Sequence, residues 1–262
     1  MIVDGKKIAE EIYNEIRERV ALLSSLPILT IITCAPNFET EKYLALKEKK
    51  AHEVGIETKI IELTKESTTE DFIQAVEFAV RESNGVIVQL PLPPHVDTAR
   101  VLDAVPVSHD VDALNHSNMG VLSPVVGALY EILLRNDIDV REKLVTVIGS
   151  GRLVGLPASQ WFMKAGAHVS VVTKNTISIS EYTKNADILV CGAGVPTLIK
   201  PDMVKEGVVI LDAGTSEDGG VLKGDVDPSC AEKASVFTPV PGGIGPMTIA
   251  ILLRNVVDLA TK

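Results

Sequence analysis

The chain has 262 residues, 46% of them hydrophobic, 23% charged and 4% aromatic. That is enough for one large or two modest domains with their own cores, and the composition argues against a disordered or collagen-like protein. Its net charge of −10, from 25 basic and 35 acidic residues, disfavours general nucleic-acid binding by repelling phosphate backbones. No apolar run reaches the ~18 residues of a membrane span. Charge and a helical pattern arrive at once in MIVDGKKIAEE, so no secretory leader is expected. Cys34, Cys191 and Cys230 are an odd number without metal-type spacing, which reads as reduced and cytosolic.

Helical patterns alternate with short β-rich runs, as an α/β fold with largely parallel sheets requires. Ile8, Ile12, Ile16, Val20 and Leu23 predict an amphipathic first helix. Pro27 precedes the strand ILTIITC, and a helix over TEKYLALKEKKAHEV follows. TKIIEL predicts the next strand. Ser67 and Glu70 predict a capping box ahead of DFIQAVEFAV. Asn84-Gly85 predicts a turn before the strand VIVQL, which Pro91, Pro93 and Pro94 end. The stretch from Pro106 to Pro124 reads as loop and holds the expected domain boundary. Alternation then resumes with LVTVIGS, a helix around ASQWFMKAG, and the strands HVSVVT, ADILVCGA and VVILDAG. Trp161 falls in an apolar helical pattern and is assigned to the core. FTPVPGGIGPM reads as loop, and TIAILLRNVVDLA as a closing helix.

Three features carry chemistry. The first is Gly149-Ser150-Gly151-Arg152-Leu153-Val154-Gly155 between a strand and a helix. Glycines there let the backbone approach a phosphate, and the helix start offers free N–H groups, so a dinucleotide site competes with a structural turn. The next strand ends in Thr173-Lys174-Asn175-Thr176, without the acid that binds a ribose 2′-hydroxyl. Lys174 and Arg152 could instead pair with a 2′-phosphate, favouring NADP, or be solvated surface cations. The second feature is Tyr43 and Lys47, four apart on one helix face, where a partly buried lysine can shuttle a proton. The competing reading is a solvated run with Lys42, Lys49 and Lys50. The third is Gln89, a polar residue near the carboxyl end of a buried strand, where α/β sheets bind ligands or where it could serve as a hydrogen-bonded core residue.

These residues, in this order, resemble the bifunctional methylenetetrahydrofolate dehydrogenase/cyclohydrolase (FolD) family. The likeness rests on YLALKEKKAHEVGI, GVIVQLPLP, HDVDAL, VIGSGRLVGLP, ADILVCGAGVP, GDVD and TPVPGGIGPMT. It implies two α/β domains with an interdomain cleft: a folate-binding catalytic domain over 1–118 plus 244–262, and a Rossmann-type NADP-binding domain over 119–243. It implies NADP-dependent oxidation of methylenetetrahydrofolate to methenyltetrahydrofolate, then hydrolysis to 10-formyltetrahydrofolate. By motif position Lys47 activates water, Tyr43 and Gln89 position it and the folate, and Asp112 binds the pterin. Leu90, Pro241, Gly242 and Gly243 line the folate side. Gly149, Ser150, Gly151, Arg152, Lys174, Thr176, Gly192, Ala193, Gly194 and Thr215 are the cofactor-side candidates, and no metal is implied. A cytoplasmic homodimer, joined through the NADP-binding domain, is the family expectation. A folate- or nucleotide-binding protein without catalysis is the competing class, and Tyr43, Lys47, Gln89 and Asp112 together argue against it.

Two departures bear on the site. The family usually has a glycine after Asp112, and here Ala113 stands there; it matters only if that position needs a positive φ. The family's glycine loop commonly carries Arg-Ser after its first glycine, and this chain has Ser150-Gly151-Arg152.

Overall fold

The computed structural model describes residues 1–36, 38–115, 120–218 and 221–261. The chain divides into two compact units, one of 1–9 with 125–248 and one of 10–124 with 249–262. The expected boundary between 118 and 119 lies outside the described residues.

The first half alternates as its apolar pattern predicts, through α1 (Gly5–Val20), β1 (Ile28–Cys34), α2 (Phe38–Glu53), β2 (Glu57–Leu63), α3 (Thr69–Glu82), β3 (Gly85–Val88) and α4 (Thr98–Ala104). Its sheet is parallel, in the order β2-β1-β3. β1 is the central strand, and its Leu29, Ile31 and Ile32 are fully buried. Continuous apolar character suits a strand covered on both faces. β2 lies at the edge and alternates exposed with half-buried residues. One side of the sheet packs Ile32, Val86 and Val88 against Phe72 and Val76 of α3 and Val101 and Leu102 of α4.

Local chemistry moved two expected boundaries. The capping box forms one residue later than predicted. Thr68 is the N-cap, its backbone N–H donates to Asp71 at 2.7 Å, and the Asp71 N–H donates back to the Thr68 hydroxyl at 3.3 Å. Ser67 instead accepts from the Thr64 N–H at 3.1 Å, which closes the preceding turn. Asn84 forms a bend rather than a hydrogen-bonded turn. Its side-chain oxygen accepts from Ile28 N–H and its own N–H donates to Ile28 O, tying the start of β3 to β1.

The second half contains α5 (Pro124–Arg135), β4 (Leu144–Ile148), α6 (Gly155–Lys164), β5 (His168–Val172), α7 (Ile179–Thr183), β6 (Ile188–Cys191), β7 (Val209–Asp212), the short hairpin β8 (Ser216–Asp218) and β9 (Val221–Lys223), β10 (Val236–Phe237) and α8 (Ile244–Ala260). The larger sheet is parallel, in the order β10-β7-β6-β4-β5. From β4 the chain passes to β5 on one side and then to β6 on the other. The carboxyl ends of β4 and β6 therefore flank the point where strand order reverses, the usual ligand position in such sheets. Trp161 is half-buried, edge-on to Tyr130 and Phe162, and it is Phe162 that fills the core. The segment expected as loop, FTPVPGGIGPM, contributes Phe237 to β10 and its last residues to the first turn of α8. Among the described residues, no helix is long and apolar enough to cross a membrane.

Candidate active site

α2 carries both Tyr43 and Lys47 on one face, as the i, i+4 spacing requires. Lys47 is only 5% exposed, whereas Lys42 and Lys49 on the same helix are exposed. Burial therefore separates Lys47 from the solvated charge run it belongs to in sequence. Its ammonium nitrogen lies 4.9 Å from the centre of the Tyr43 ring. It also donates to Gln89 Oε1 at 2.9 Å.

Gln89 lies one residue past β3, and its backbone N–H donates to Ile32 O at 2.8 Å, which extends the parallel ladder with β1. Its side-chain NH2 donates to Leu90 O at 3.1 Å. The second contact fixes the amide so that its oxygen faces Lys47. The Leu90–Pro91 peptide is cis.

Asp112 is half-buried in the loop after α4. Burial pushes its carboxyl up, the nearby Lys47 pulls it down, and Asp110 pushes it up. Conversely, burial lowers the pKa of Lys47 and Asp112 opposes that shift. A buried amine loses hydration when charged, so it releases a proton more readily than a surface lysine.

The loop holding Asp112 is braced from several sides. Val86 N–H donates to His109 O at 2.8 Å, which joins the loop to β3. The buried Asp110 accepts from Leu114 N–H at 3.3 Å and Asn115 N–H at 2.9 Å. Asn255 of α8 donates to Val111 O at 2.8 Å and Leu122 O at 2.9 Å. Ala113 sits at φ 53°, so the position after Asp112 does adopt the conformation that glycine favours. In sequence Asn255 is marked only as the single amide side chain of a mostly apolar helix.

The other candidates lie in the second unit. Gly149 follows β4 at φ +99°, and a Cβ there would stand 2.6 Å from Gly192 O. Gly192 follows β6, where a Cβ would overlap Val154. The two glycines thus let the loops after β4 and β6 touch. Ser150 and Gly151 are exposed on the rim. α6 starts without a side-chain cap, but its first turn offers fewer free donors than expected: Leu156 N–H donates to Gly151 O and Ala158 N–H to Val154 O, each at 3.0 Å, and Pro157 has no N–H. Arg152 Nη1 is buried and has no hydrogen-bond partner among the described residues. A buried guanidinium donor left open in a glycine-rich strand–helix turn fits a phosphate group. Lys174 is exposed in a turn in which Thr173 N–H donates to Thr176 Oγ1 at 3.0 Å. Ala193, Gly194 and Thr215 are also exposed. Pro241, Gly242 and Gly243 precede α8, where Gly5 N–H donates to Gly242 O at 3.0 Å.

Residues 3–112 match the family model described as tetrahydrofolate dehydrogenase/cyclohydrolase, catalytic domain. Residues 124–262 match its NAD(P)-binding domain. The chain belongs to the tetrahydrofolate dehydrogenase/cyclohydrolase family. It is 38% identical to "Bifunctional protein FolD" of Halothermothrix orenii over 98% of this chain and 96% of that protein. Identity to the protein of the same name from Aquifex aeolicus is 39%, over 97% and 93%. Among solved structures, the bifunctional FolD enzyme of Campylobacter jejuni superposes with a TM-score of 0.96 at 33% identity, covering 100% of this chain and 98% of that one. The Trypanosoma brucei FolD, solved with NADP cofactor and inhibitor, gives a TM-score of 0.92 at 30% identity, covering 100% and 97%. The fold of this family member is accordingly two α/β domains, the second of NAD(P)-binding type.

Proposed function

We propose that the chain oxidises methylenetetrahydrofolate with NADP and then hydrolyses the methenyl product to 10-formyltetrahydrofolate. The observation that carries this reading is the buried Lys47, bonded to Gln89 and near enough to Asp112 to feel its charge, in a member of this family. Lys47 is the proton shuttle of the hydrolytic step. Its neutral amine takes a proton from the water attacking the methenyl carbon. The new C–O bond forms, the ring C–N bond opens, and one proton is released overall. A lowered pKa raises the fraction of neutral amine available for this at neutral pH. Gln89 holds the amine in place, and Tyr43 presents its ring face to the folate. Asp112 accepts from the amino and N–H donors of the pterin. Leu90 and the segment Pro241, Gly242 and Gly243 complete the folate contacts.

NADP would supply the hydride acceptor for the methylene carbon. Gly149, Ser150 and Gly151 would hold its phosphates, and Arg152, Lys174 and Thr176 would face the 2′-phosphate. Gly192, Ala193, Gly194 and Thr215 meet the nicotinamide half. Hydride transfer depends chiefly on alignment of two carbons, so this chain contributes positioning there and proton chemistry in the second step. Residues 1–118 with 244–262 form the folate domain and 119–243 the cofactor domain, which also pairs two copies into a cytoplasmic homodimer.

The test mixes methylenetetrahydrofolate with NADP and follows absorbance. Reduced cofactor should appear without accumulation of the methenyl compound. Accumulation would remove the hydrolytic half of the reading, and equal kcat/KM with NAD would remove the cofactor preference.

A further inference from the structure

Asp225 stands completely buried beneath an exposed turn, Ala193–Gly194–Val195, and holds it through three backbone donors. Its Oδ2 accepts from Ala193 N–H at 2.6 Å and Gly194 N–H at 3.2 Å, and its Oδ1 accepts from Val195 N–H at 2.8 Å. Three consecutive peptides therefore point their N–H groups inward. In a planar trans peptide the carbonyl lies opposite the N–H, so the oxygens of residues 192–194 point away from the carboxylate; that of Gly192 packs against Gly149, and those of Ala193 and Gly194 lie on the exposed turn.

A second carboxylate fixes the first. Asp212, at the end of β7, accepts from Gly214 N–H at 2.9 Å, Asp225 N–H at 3.3 Å and Val226 N–H at 2.9 Å. Burial pushes Asp212 up to about 6, and its bonds from the backbone of Val226, Gly214 and Asp225 oppose that shift. A Cβ on Gly214 would overlap the Asp225 carboxylate, which leaves that group no room to swing aside. Neither acid takes part in the chemistry described above.

We infer that Asp225 is a positioning residue that turns the 192–195 loop into an acceptor surface, suited to a ligand amide that donates through its NH2. The inference rests on the reading that this loop meets the nicotinamide half, whose carboxamide is such a donor. Had the N–H groups faced outward, the loop would suit an anion or a carbonyl instead. Charge-assisted bonds from one carboxylate to three amides are strong enough to decide between the two arrangements.

The experiment measures equilibrium binding of NADP and of its acetylpyridine analogue, in which a methyl ketone replaces the carboxamide and removes the NH2. The wild-type chain should bind NADP about tenfold more tightly than the analogue, roughly the worth of one well-placed hydrogen bond in a dry site. Asp225→Asn should weaken NADP about tenfold and bring the ratio close to one. Its ring-opening rate on supplied methenyltetrahydrofolate should stay unchanged, because Tyr43, Lys47 and Gln89 are untouched. An Asp225→Asn protein with undiminished NADP affinity and an unchanged ratio overturns the inference while leaving the cofactor assignment standing. A wild-type chain that binds no NADP overturns that assignment, and the inference with it. If the variant does not fold, amide hydrogen exchange on the wild type decides. Slow exchange at residues 193–195 despite their exposure supports the anchor, and fast exchange at all three overturns it.

Discussion

Lys47 Nζ donates to Gln89 Oε1 at 2.9 Å across 42 residues of sequence, joining a helix face to the end of a strand. This bond turns one lysine of a basic run into a buried, oriented amine. A surface lysine would keep its hydration and its proton, and would have no fixed direction toward a substrate.

Replacing Lys47 with Met keeps the hydrophobic length of the side chain and removes the proton acceptor. Ring opening should fall by at least about 100-fold, the usual worth of a positioned general base. NADP binding should persist, because its candidate residues lie in the other unit. Cyclohydrolase assays on supplied methenyltetrahydrofolate, alongside NADP titration, check both halves. Wild-type ring opening in this variant would remove Lys47 from the mechanism.

The pH dependence of ring opening follows the state of the Lys47 amine. Only the neutral form accepts a proton, so the rate rises with pH through the lysine pKa. Gln89→Glu places a carboxylate beside the ammonium, stabilises the charged form and raises that pKa. The rising limb should move to higher pH by about one unit or more. Asp112→Asn removes the charge that opposes the effect of burial, so its limb should move the other way. Rate–pH profiles at saturating folate read both directions, and identical profiles for all three proteins would contradict the assignment.

Asn255 supplies two donors to carbonyls on either side of the Asp112 loop. Asn255→Ala leaves buried carbonyls without those partners, at about 1–3 kcal/mol. The looser loop should raise the KM for folate more than it lowers kcat for ring opening. Thermal melting and steady-state kinetics separate the two effects, and an unchanged folate KM would show that the loop is held by other contacts.

Ala113 at φ 53° occupies a region that costs an L-residue about 1–2 kcal/mol. Glycine removes that strain but gains unfolded-state entropy worth roughly 0.5–1 kcal/mol. Ala113→Gly should therefore stabilise the protein by up to about 1.5 kcal/mol, or roughly 3–6 °C in Tm. The folate KM should stay the same, since the loop already has the glycine-like path. A lower Tm would mean that the alanine methyl makes packing contacts worth more than the strain.

The sequence alone determined what local rules govern. Continuous apolar runs made β1 and β6 fully covered strands, and the 3.6-residue period placed Tyr43 and Lys47 on one face. The strand–glycine–helix order marked the loop after β4, and the motif order named the family. Boundaries set by single side chains were less legible, because Ser67 and Thr68 are equally good caps until their partners are known. Sequence also left α4, α5, α7 and the β8–β9 hairpin unread; α4, α7 and the hairpin are too short to carry much periodic signal, whereas α5 has twelve residues. Only the tertiary structure decided which lysine is buried, which way the Gln89 amide points, and that Asn255 and Asp225 brace loops far away in sequence. The reason is physical. Desolvation, hydrogen-bond direction and close backbone approach are properties of atoms brought together from distant parts of the chain, and no local pattern records them.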